Sequence, residues 1–357
     1  MLRRTFLQAA SAAPLAAAAT APGEGIRLGF DTFSIRDFHW KDIQLLDYAA
    51  SQKLDAVQLS SLDDYESLEP AHLAKVKDHA ERAGISIDAG IFCVSDASKS
   101  WNPKEGSPAA YLRKGLRVAQ AVGSRTLRCV MGTRADRPNL DHCMERTVQA
   151  LQSVRSEALD LGIRIAIENH AGDMQAREVK MLIETAGKDF VGSCLDSGNP
   201  LWAAEDPLLT LETLGPYVVT THIRDSAVFE HSRGAAVQWL ALGDGSIDFR
   251  RFIELYQKLC PKAAMQLEII TGIPPDVLPY LEPEFWRVFP HTPAWEFARF
   301  VALAKNGHPF MGPMVIGGWG DKSPAVAAAF REQQRVDLER SFEYAKKTLG
   351  VGVRWKT

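Results

Sequence analysis

The sequence predicts an α/β protein, a (β/α)8 TIM barrel with a long insertion between the eighth strand and the last helix. From Ile26 onward, eight short β-rich runs alternate with longer runs whose apolar residues recur at i, i+3, i+4 and i+7, the spacing of a helix face. Helical runs end at Gly84, Gly123 and Gly162 just before a strand, as expected for left-handed C-terminal caps. No G-x-G-x-x-G turn follows the first strand, which disfavours the alternative of a doubly wound open sheet.

The elements alternate regularly along the chain. Each strand run is short and largely apolar, which is typical of parallel strands covered on both faces. The predicted strands span residues 26–34, 55–60, 85–94, 125–130, 163–169, 191–196, 217–223 and 263–269. The predicted helices span residues 41–53, 70–83, 107–122, 140–161, 175–188, 205–214, 248–260 and 323–348.

The interval between the eighth strand and the last helix breaks this alternation. This insertion, about 270–320, is rich in proline and aromatic residues and includes a predicted helix near 293–306. Long loops in compact barrels are usually functional, and this one starts at the face where the strands end. Trp286 and Trp295 are predicted to bind substrate by stacking on a sugar ring, and Phe289 and Phe297 could do the same. The alternative is that these aromatic residues pack the insertion onto the barrel.

Residues 1–21 resemble a twin-arginine signal peptide. The segment LRRTFLQ (2–8) carries the paired arginines and precedes an alanine-rich stretch through Ala19. We therefore expect a periplasmic or otherwise exported protein, with an amphipathic N-terminal helix as the alternative. Residues 22–357 contain no low-complexity linker and are predicted to form a single domain. No other segment reaches the roughly 20 apolar residues that span a bilayer, so no membrane association is expected after signal removal.

The composition is that of a globular protein with a large core. Hydrophobic residues make up 46% and charged residues 24%, and the net charge is −3. This balance gives no extended basic field for a phosphate backbone, so nucleic acid is not expected as a partner, and small, uncharged or moderately polar substrates fit better. The five cysteines, an odd number without a C-x-x-C motif, are expected to be buried free thiols.

Four residues with metal-binding side chains end four consecutive apolar runs. Glu168 ends RIAIE, Asp196 ends VGSCLD, His222 ends YVVTTH and Glu268 ends AAMQLE, at separations of 28, 26 and 46 residues, each close to one βα unit. The C-terminal ends of the strands of a TIM barrel meet at one face, where catalytic groups gather. Three carboxylates and one imidazole suit one divalent ion (Mn²⁺, Mg²⁺, Co²⁺ or Zn²⁺) and lack the sulfur ligands that select copper. One such acidic residue alone is more often a helix cap, but four in succession predict a metal site.

These motifs resemble those of the sugar phosphate isomerase/epimerase family with the xylose-isomerase-like barrel. The similarity runs from IAIENH through LDSGN, THIRD and GDGSIDF to QLEI and covers about 26–348, with the insertion as the least familiar part. The resemblance implies that Glu168, Asp196, His222 and Glu268 bind one divalent ion. It also implies that Glu168 and Glu268 are catalytic and exchange protons with a substrate carbon. A cation beside the carbonyl would neutralise the enediolate that forms when that proton leaves.

Three neighbours of these ligands are predicted to bind substrate. His170, in the Glu-Asn-His motif, would contact a substrate hydroxyl or support a ligand, with a purely structural histidine as the alternative. Arg224 resembles the basic residue that follows the family's metal histidine, and a loop salt bridge with Asp225 is the alternative. Asn199 stands where ketose 3-epimerases have a histidine that binds substrate oxygens, which argues against a simple ketose 3-epimerase. The related DNA-repair endonucleases need that histidine as a zinc ligand.

The sequence therefore predicts a divalent-metal-dependent sugar isomerase or epimerase that abstracts a proton next to a carbonyl. The first alternative is a metal-dependent lyase or dehydratase acting on keto-sugars or 3-keto-glycosides, because elimination can follow the same proton abstraction. An alternative of another class is a barrel that binds sugars without catalysis. The expected partner is a small sugar or sugar derivative, and a homo-oligomer is compatible with the sequence.

Overall fold

The computed structural model describes residues 25–357, so the predicted signal peptide lies outside the described residues. Eight parallel strands form the predicted barrel, in the order β10-β1-β2-β3-β4-β5-β6-β7. Their bounds are β1 (Leu28–Asp31), β2 (Ala56–Leu59), β3 (Ser86–Cys93), β4 (Thr126–Val130), β5 (Arg164–Glu168), β6 (Val191–Asp196), β7 (Val218–His222) and β10 (Met265–Leu267).

The barrel closes between its last two strands, β7 and β10. The Ile223 N–H donates to the Gln266 carbonyl oxygen at 2.8 Å, and the Glu268 N–H donates to the Ile223 carbonyl oxygen at 3.0 Å. On the other side of β10, Leu28 of β1 pairs in parallel with Met265. Every strand of the barrel therefore has two neighbours, and the C-terminal ends of all eight strands face one mouth.

The helices pack around the outside of this barrel or cover its mouth. They are α1 (Asp42–Ser51), α2 (Pro70–Ala83), α3 (Pro108–Ala121), α4 (Leu140–Gln152), α5 (Arg155–Leu161), α6 (Ala176–Ala186), α7 (Pro207–Leu214), α8 (Phe249–Leu259), α9 (Pro283–Trp286), α10 (Ala294–Asn306) and α11 (Pro324–Lys347). As predicted, Gly84 and Gly162 cap α2 and α5 in the left-handed conformation, with φ of 65° and 64°.

Two predicted elements differ from the structure. The first strand ends at Asp31 instead of residue 34, because the Asp31 side chain accepts the Phe33 N–H at 3.0 Å and starts a 3-10 turn, Thr32–Phe38. The predicted helix 140–161 is two helices, α4 and α5. Val154 leaves the helical region at the break, with φ of −116° and ψ of 9°, and its side chain is fully buried. The buried side chain of Val154 packs in the core where the helix is interrupted. No proline or glycine at this point of the sequence indicates the interruption.

A three-stranded antiparallel sheet beside the mouth was not predicted. It consists of the hairpin β8 (Asp225–His231) and β9 (Gly234–Leu240), joined by β11 (Asp276–Leu278) from the insertion. The 46 residues from His222 to Glu268 therefore contain this hairpin as well as α8, and the interpretation of that interval as a single βα unit was wrong. β-rich segments on both sides of the tight turn at Ser232-Arg233 were the available signal.

The insertion between β10 and α11 packs on this sheet. A second apolar core joins the two parts, with Val237 from β9, Leu278 from β11 and Phe300 from α10 all fully buried. Helix α10 confirms the helix predicted near 293–306. None of the helices in residues 25–357 is both long enough and apolar enough to cross a lipid bilayer. All five cysteines are buried free thiols, as predicted.

Polar side chains fill part of the barrel interior. Asp88 of β3 accepts hydrogen bonds from the hydroxyls of Thr126 (2.9 Å) and Thr220 (2.8 Å) and from the Gln266 side chain (3.0 Å). Together these contacts link strands β3, β4, β7 and β10 across the barrel. The network fixes the positions of β7 and β10. His222 and Glu268 lie farther along these two segments, toward the mouth.

Candidate metal centre

The four predicted ligands converge at the mouth of the barrel. Glu168, Asp196 and His222 are the last residues of β5, β6 and β7, and Glu268 directly follows β10. One potential ligand atom from each lies within 4.8 Å of the corresponding atoms of the other three. Glu168, Asp196 and His222 are fully buried, and Glu268 is 5% exposed. We call these four residues the quartet.

The imidazole of His222 presents its two nitrogens to different groups. Nδ1 lies 3.2 Å from Glu168 Oε2 and 3.4 Å from Glu268 Oε2, and it has no hydrogen-bond partner among the described residues. Nε2 lies 3.3 Å from Asp31 Oδ2 and contacts the side-chain amide of Gln58. Asp31 and Gln58 therefore orient the ring from behind, and Nδ1 faces the carboxylates, as a metal-ligating histidine does.

Two buried arginines contact the quartet carboxylates. Arg128 from β4 donates from Nε to Glu168 Oε2 at 2.6 Å and places Nη2 2.5 Å from the same oxygen. Arg224, two residues after His222, pairs through Nη1 with Glu268 and through Nη2 with Asp196. Both guanidiniums engage Oε2 of a glutamate, so the Oε1 atoms of Glu168 and Glu268 are left free of them.

Burial and the neighbouring charged groups shift the pKa values of the three quartet carboxyl groups in different directions. Burial raises the pKa of Glu168, but the charges of Arg128 and His222 outweigh burial and hold this pKa well below its usual range. Burial also opposes ionisation of Glu268, yet Arg224 and His222 lower its pKa to about 2. For Asp196 burial prevails over Arg224 and raises the pKa to about 7. A divalent ion would favour the ionised form of all three.

The charges and donor atoms of the centre fit a divalent cation. In the form that can bind a metal, His222 is neutral and the carboxyl groups are ionised. The three quartet carboxylates and Asp31 then carry four negative charges, and the guanidiniums of Arg128 and Arg224 supply two positive ones. A buried excess of two negative charges is unfavourable unless a cation balances it. Carboxylate oxygens and an unpartnered imidazole nitrogen are donors that Mn²⁺, Mg²⁺, Co²⁺ or Zn²⁺ can accept. The residues present therefore fit one such ion.

His170 and Asn199 lie beside Glu168. His170 Nδ1 is 2.7 Å from the Gly132 carbonyl oxygen, so a neutral ring keeps its proton there and presents Nε2 as an acceptor. Burial lowers the pKa of His170, an effect that the charge of Glu168 only partly offsets. Asn199 Nδ2 donates to the Asn169 carbonyl oxygen at 3.0 Å and lies 3.4 Å from Glu168 Oε1, while its Oδ1 is buried without a partner. Substrate binding by His170 and Asn199 stays a prediction.

The structure excludes one of the two interpretations of the Arg224-Asp225 pair, and substrate binding by Arg224 stays a prediction. Arg224 is turned to the quartet, and only its Nε lacks a partner among the described residues. The Asp225 carboxylate accepts backbone N–H groups, including those of Gly243 at 3.1 Å and Gly245 at 2.9 Å. The alternative of a loop salt bridge between the two residues was therefore wrong.

The aromatic residues predicted to stack on a sugar mainly pack the insertion. The Trp286 ring makes an edge contact with Phe297, and its N–H donates to the Tyr280 carbonyl oxygen at 2.7 Å. Phe289 is buried, whereas Trp295 is 60% exposed. These contacts favour the packing alternative for Trp286, Phe289 and Phe297, and substrate binding by Trp286 and Trp295 stays a prediction.

The sequence reasoning missed several residues that contact or lie close to the quartet. Arg128 and Gln58 are polar residues in the middle of apolar strand runs, and that position was the available signal, because a buried charge or amide needs a partner. Trp239 of β9 stacks on Trp202, with ring centroids 4.5 Å apart, and lies 4.8 Å from the Arg224 guanidinium carbon. Trp239 sits on the hairpin that was not predicted, so its position could not be inferred.

Proteins of known sequence resemble this chain at moderate identity. The 3-oxo-isoapionate decarboxylase of Pectobacterium atrosepticum is 24% identical over 207 residues, which are 57% of this chain and 69% of that protein. The uncharacterized protein YihM of Escherichia coli is 21% identical over 213 residues, 58% of this chain and 60% of that protein.

Solved structures share the barrel. A D-psicose 3-epimerase determined in the presence of D-fructose matches with a TM-score of 0.59 and 16% identity, over 91% of this chain and 100% of that chain. The IOLI protein with a bound zinc atom matches with a TM-score of 0.54 and 13% identity, over 78% of this chain and 95% of that chain. The model of the xylose isomerase-like TIM barrel family matches residues 46–271, more than half of the sequence. The protein belongs to the xylose isomerase-like TIM barrel family.

Proposed function

We propose that the protein is a divalent-metal-dependent sugar isomerase or epimerase that abstracts a proton next to a carbonyl. The observation that carries this proposal is the quartet itself. Three carboxylates and the unpartnered Nδ1 of His222 lie within 4.8 Å of one another at the catalytic face of a TIM barrel. Sugar epimerases among the structural neighbours agree with this class of reaction.

Glu168, Asp196, His222 and Glu268 would hold the ion. When bound, the ion supplies a positive charge that stabilises negative charge on the carbonyl and neighbouring hydroxyl oxygens of a substrate. Asp31 keeps His222 oriented through Nε2 at 3.3 Å. Arg224 fixes Asp196 and Glu268 relative to each other, because one guanidinium pairs with both carboxylates.

Glu168 and Glu268 would carry the proton. Each has its Oε2 beside an arginine and His222, so Oε1 would face a substrate C–H. In Glu168 this oxygen also accepts a long hydrogen bond of 3.4 Å from Asn199 Nδ2. Their low pKa values keep both ionised at neutral pH, so either can accept a proton. Return of the proton to the same carbon on the other face is epimerisation, and return to the neighbouring carbon is isomerisation.

Decarboxylation is a second candidate that a specific observation favours. The relative from Pectobacterium atrosepticum is a 3-oxo-isoapionate decarboxylase. Loss of CO₂ from a 3-oxo acid leaves the electron pair of the broken C–C bond as an enolate, and a proton then adds to that carbon. This enolate carries charge on the same oxygen as the intermediate of proton abstraction, so one site can serve both reactions. The lyase or dehydratase alternative uses the same first step.

Export through the twin-arginine pathway is also a proposal. It is motivated by the LRRTFLQ segment at residues 2–8. Because this pathway carries folded proteins, a metal could enter the quartet before export. The test is a fusion of residues 1–24 to a reporter that is active only after twin-arginine export. Replacing Arg3 and Arg4 with lysine should leave the reporter in the cytoplasm, and unchanged export would contradict the proposal.

Solvent exchange tests the catalytic proposal. The purified protein, with Mn²⁺ supplied, is incubated in D₂O with a panel of ketoses, keto-sugar acids and 3-keto-glycosides, and deuterium is located by NMR. We expect deuterium on a carbon next to the carbonyl of at least one compound. The Glu268→Gln variant should lose roughly 100-fold or more of the exchange rate, because a positioned base contributes about that much. Glu284→Gln, the same change on the exposed surface of α9, is the control and should exchange at the wild-type rate.

The outcomes separate the candidate functions. Deuterated substrate or its epimer indicates an isomerase or epimerase, and CO₂ release from a 3-oxo acid indicates a decarboxylase. Sugar binding that Glu268→Gln leaves unchanged, with neither exchange nor CO₂ from the wild type, would show a binding protein without catalysis. That last result would overturn the proposal.

A further inference from the structure

A partly buried guanidinium in the turn after β1 has most of its donors unused. The Arg36 side chain, in the 3-10 turn after β1, is 17% exposed. Of its five N–H donors, one makes a hydrogen bond among the described residues, from Nη1 to the Phe33 carbonyl oxygen at 3.2 Å. Its Nε lies 4.0 Å from Asp37 Oδ1, beyond hydrogen-bond distance. Burial lowers the pKa of Arg36, and the charge of Asp37 and, less strongly, that of Glu268 oppose this effect.

Three aromatic rings enclose this guanidinium. Its central carbon lies 4.6 Å from the ring centroid of Phe33, 5.2 Å from that of Trp319 and 5.8 Å from that of Phe330. We call these four residues the Arg36 cage. Rings over the faces of a guanidinium hold it by cation–π attraction and leave its N–H edges for planar partners. Trp319 is 58% exposed, so the cage lies at the surface of the mouth.

Arg137 shows what a purely structural arginine looks like in the same protein. Its guanidinium also lies over an aromatic ring, 4.0 Å from the Phe289 centroid. Unlike Arg36, it donates to the carbonyl oxygens of Val288 and Asp173 at 2.8 Å and to both carboxylate oxygens of Glu178. The two arginines therefore differ, because Arg137 uses its donors within the protein and Arg36 leaves most of its donors unused.

Further unused donors lie on the same side of the quartet. The Trp239 ring makes an edge contact with Trp319 of the cage, with centroids 6.3 Å apart, and stacks on Trp202. Both Trp239 and Trp202 are less than one-tenth exposed, and their indole N–H groups have no acceptor among the described residues. Arg224 Nε is likewise unpartnered. These buried donors have no acceptor among the described residues, which is costly unless a ligand supplies one.

We propose that the Arg36 cage binds a carboxylate of the substrate, so that the substrate class is a keto-sugar acid. The inference rests on the proposed function, because it assumes that the quartet binds the carbonyl end of the same molecule. A planar carboxylate offers two oxygens to the N–H edge of the guanidinium that the protein leaves unused. The sequence had favoured uncharged or moderately polar substrates, and the cage changes that expectation.

Three hexuloses that differ only at C6 test the carboxylate directly. D-fructose has a hydroxymethyl group there, D-fructuronate a carboxylate and D-fructose 6-phosphate a phosphate ester. The three corresponding D-tagatose compounds, which have the opposite configuration at C4, are measured in the same way. Deuterium exchange is measured in D₂O with the Mn²⁺-loaded full chain, and kcat and KM are obtained for each compound. We expect kcat/KM for the uronate to exceed that for the neutral ketose by roughly 10- to 100-fold, the range for a hydrogen bond to a charged group.

The Arg36→Gln variant locates the effect. It should raise KM for the uronate by roughly 10-fold or more, leave kcat nearly unchanged and hardly affect the neutral ketose. Arg36→Lys, which keeps the charge but not the planar fork, should recover part of the affinity. Arg331→Gln is the control, because Arg331 also lies over an aromatic ring, 5.9 Å from the Phe38 centroid, but is exposed. Thermal melting of each variant detects loss of folding, and the Lys variant keeps the test valid if Gln lowers stability.

Each other outcome counts against the inference. Equal or better exchange of the neutral ketose, or an Arg36→Gln defect of the same size for all three compounds, would overturn the carboxylate assignment while the proposed function stands. Preference for the phosphate ester would overturn it in favour of a phosphate. Absence of exchange with every compound of the wider panel would contradict the proposed function itself.

Discussion

At the scale of the residue, the quartet depends on the charged groups that contact it. Arg128 engages only Oε2 of Glu168, and Arg224 engages Asp196 and Glu268 together. These arginines hold the carboxylates in place but cannot be ligands themselves, since a guanidinium has no lone pair to donate. Their loss would leave buried carboxylates unpaired, and the same loss would change the position of the proton carriers.

Removing Arg128 tests this dependence. We expect Arg128→Gln to lower the free energy of unfolding by roughly 3–5 kcal/mol, because one partner of a buried ion pair remains without the other. Arg113→Gln is the matched control. Arg113 pairs with Glu157 on the surface, with side chains 39% and 47% exposed, so its loss should cost less than about 1 kcal/mol. Equal costs in urea denaturation would contradict the structural role of Arg128.

Asp31 should matter for metal affinity. It lies 3.3 Å from Nε2 of His222, the nitrogen turned away from the quartet, and its partner Ser60 donates to both of its oxygens. We expect Asp31→Ala to weaken Mn²⁺ binding by roughly 10- to 100-fold, as loss of a group that orients a ligand does. Competition with a chelator measures this affinity, and Asp63→Ala on the exposed loop after β2 is the control. Unchanged affinity would show that Asp31 does not orient the imidazole.

At the scale of the element, the barrel was predictable and its mouth was less so. Strands and helices alternate regularly along the chain, and the spacing of the apolar residues predicts which face of each element is buried. The quartet was predictable because each member ends such a strand. The hairpin β8–β9, the positions of Trp239 and Trp319 and the Arg36 cage were not, because they depend on contacts between segments far apart in sequence. Arg36 was predicted only to lie in the loop between the first strand and the first helix, and no role was assigned to it.

The hairpin is tied to the loop before α8 by one carboxylate. Asp225 accepts the backbone N–H groups of Ser226 (2.8 Å), Gly243 (3.1 Å), Gly245 (2.9 Å) and Ile247 (3.3 Å). We expect Asp225→Ala to destabilise the protein by roughly 2–4 kcal/mol, because these buried donors lose their acceptor. Asp248→Ala removes only the cap of α8 and should cost about 1 kcal/mol. The reverse order of the two costs would contradict this account of the hairpin.

Glu205 gives a pH-dependent contribution at the start of α6. Its buried carboxyl group contacts the Ala176 N–H and the Thr210 hydroxyl, and burial raises its pKa to about 7. Above the unfolded pKa of about 4.3 the unfolded chain releases this proton while the native protein keeps it, so stability falls until the pH reaches about 7. We expect the free energy of unfolding of the Glu205→Gln variant to decrease less over this pH range, by up to about 3 kcal/mol. Urea denaturation at pH 4.5 and 7.5 measures it, with Glu212→Gln as the control, and parallel pH curves would contradict the prediction.

At the scale of the whole molecule, the barrel brings four distant strand ends to one buried point. With His222 neutral and the carboxyl groups ionised, four carboxylates and two guanidiniums in contact there leave two negative charges. A folded chain that carries this excess should gain stability from a divalent ion, whereas the unfolded chain has no such site. We therefore expect metal binding to stabilise the folded chain by about 4 kcal/mol at a free ion concentration 1,000 times the dissociation constant.

The central claim is that the quartet forms one divalent-metal centre, and the metal content of the purified full chain tests it most directly. Elemental mass spectrometry after loading with Mn²⁺ and removal of free ion should give one ion per chain for the wild type. The His222→Ala variant, verified as folded, should give a value near zero. A wild type without bound metal, or an equal metal content in the two proteins, would contradict the claim.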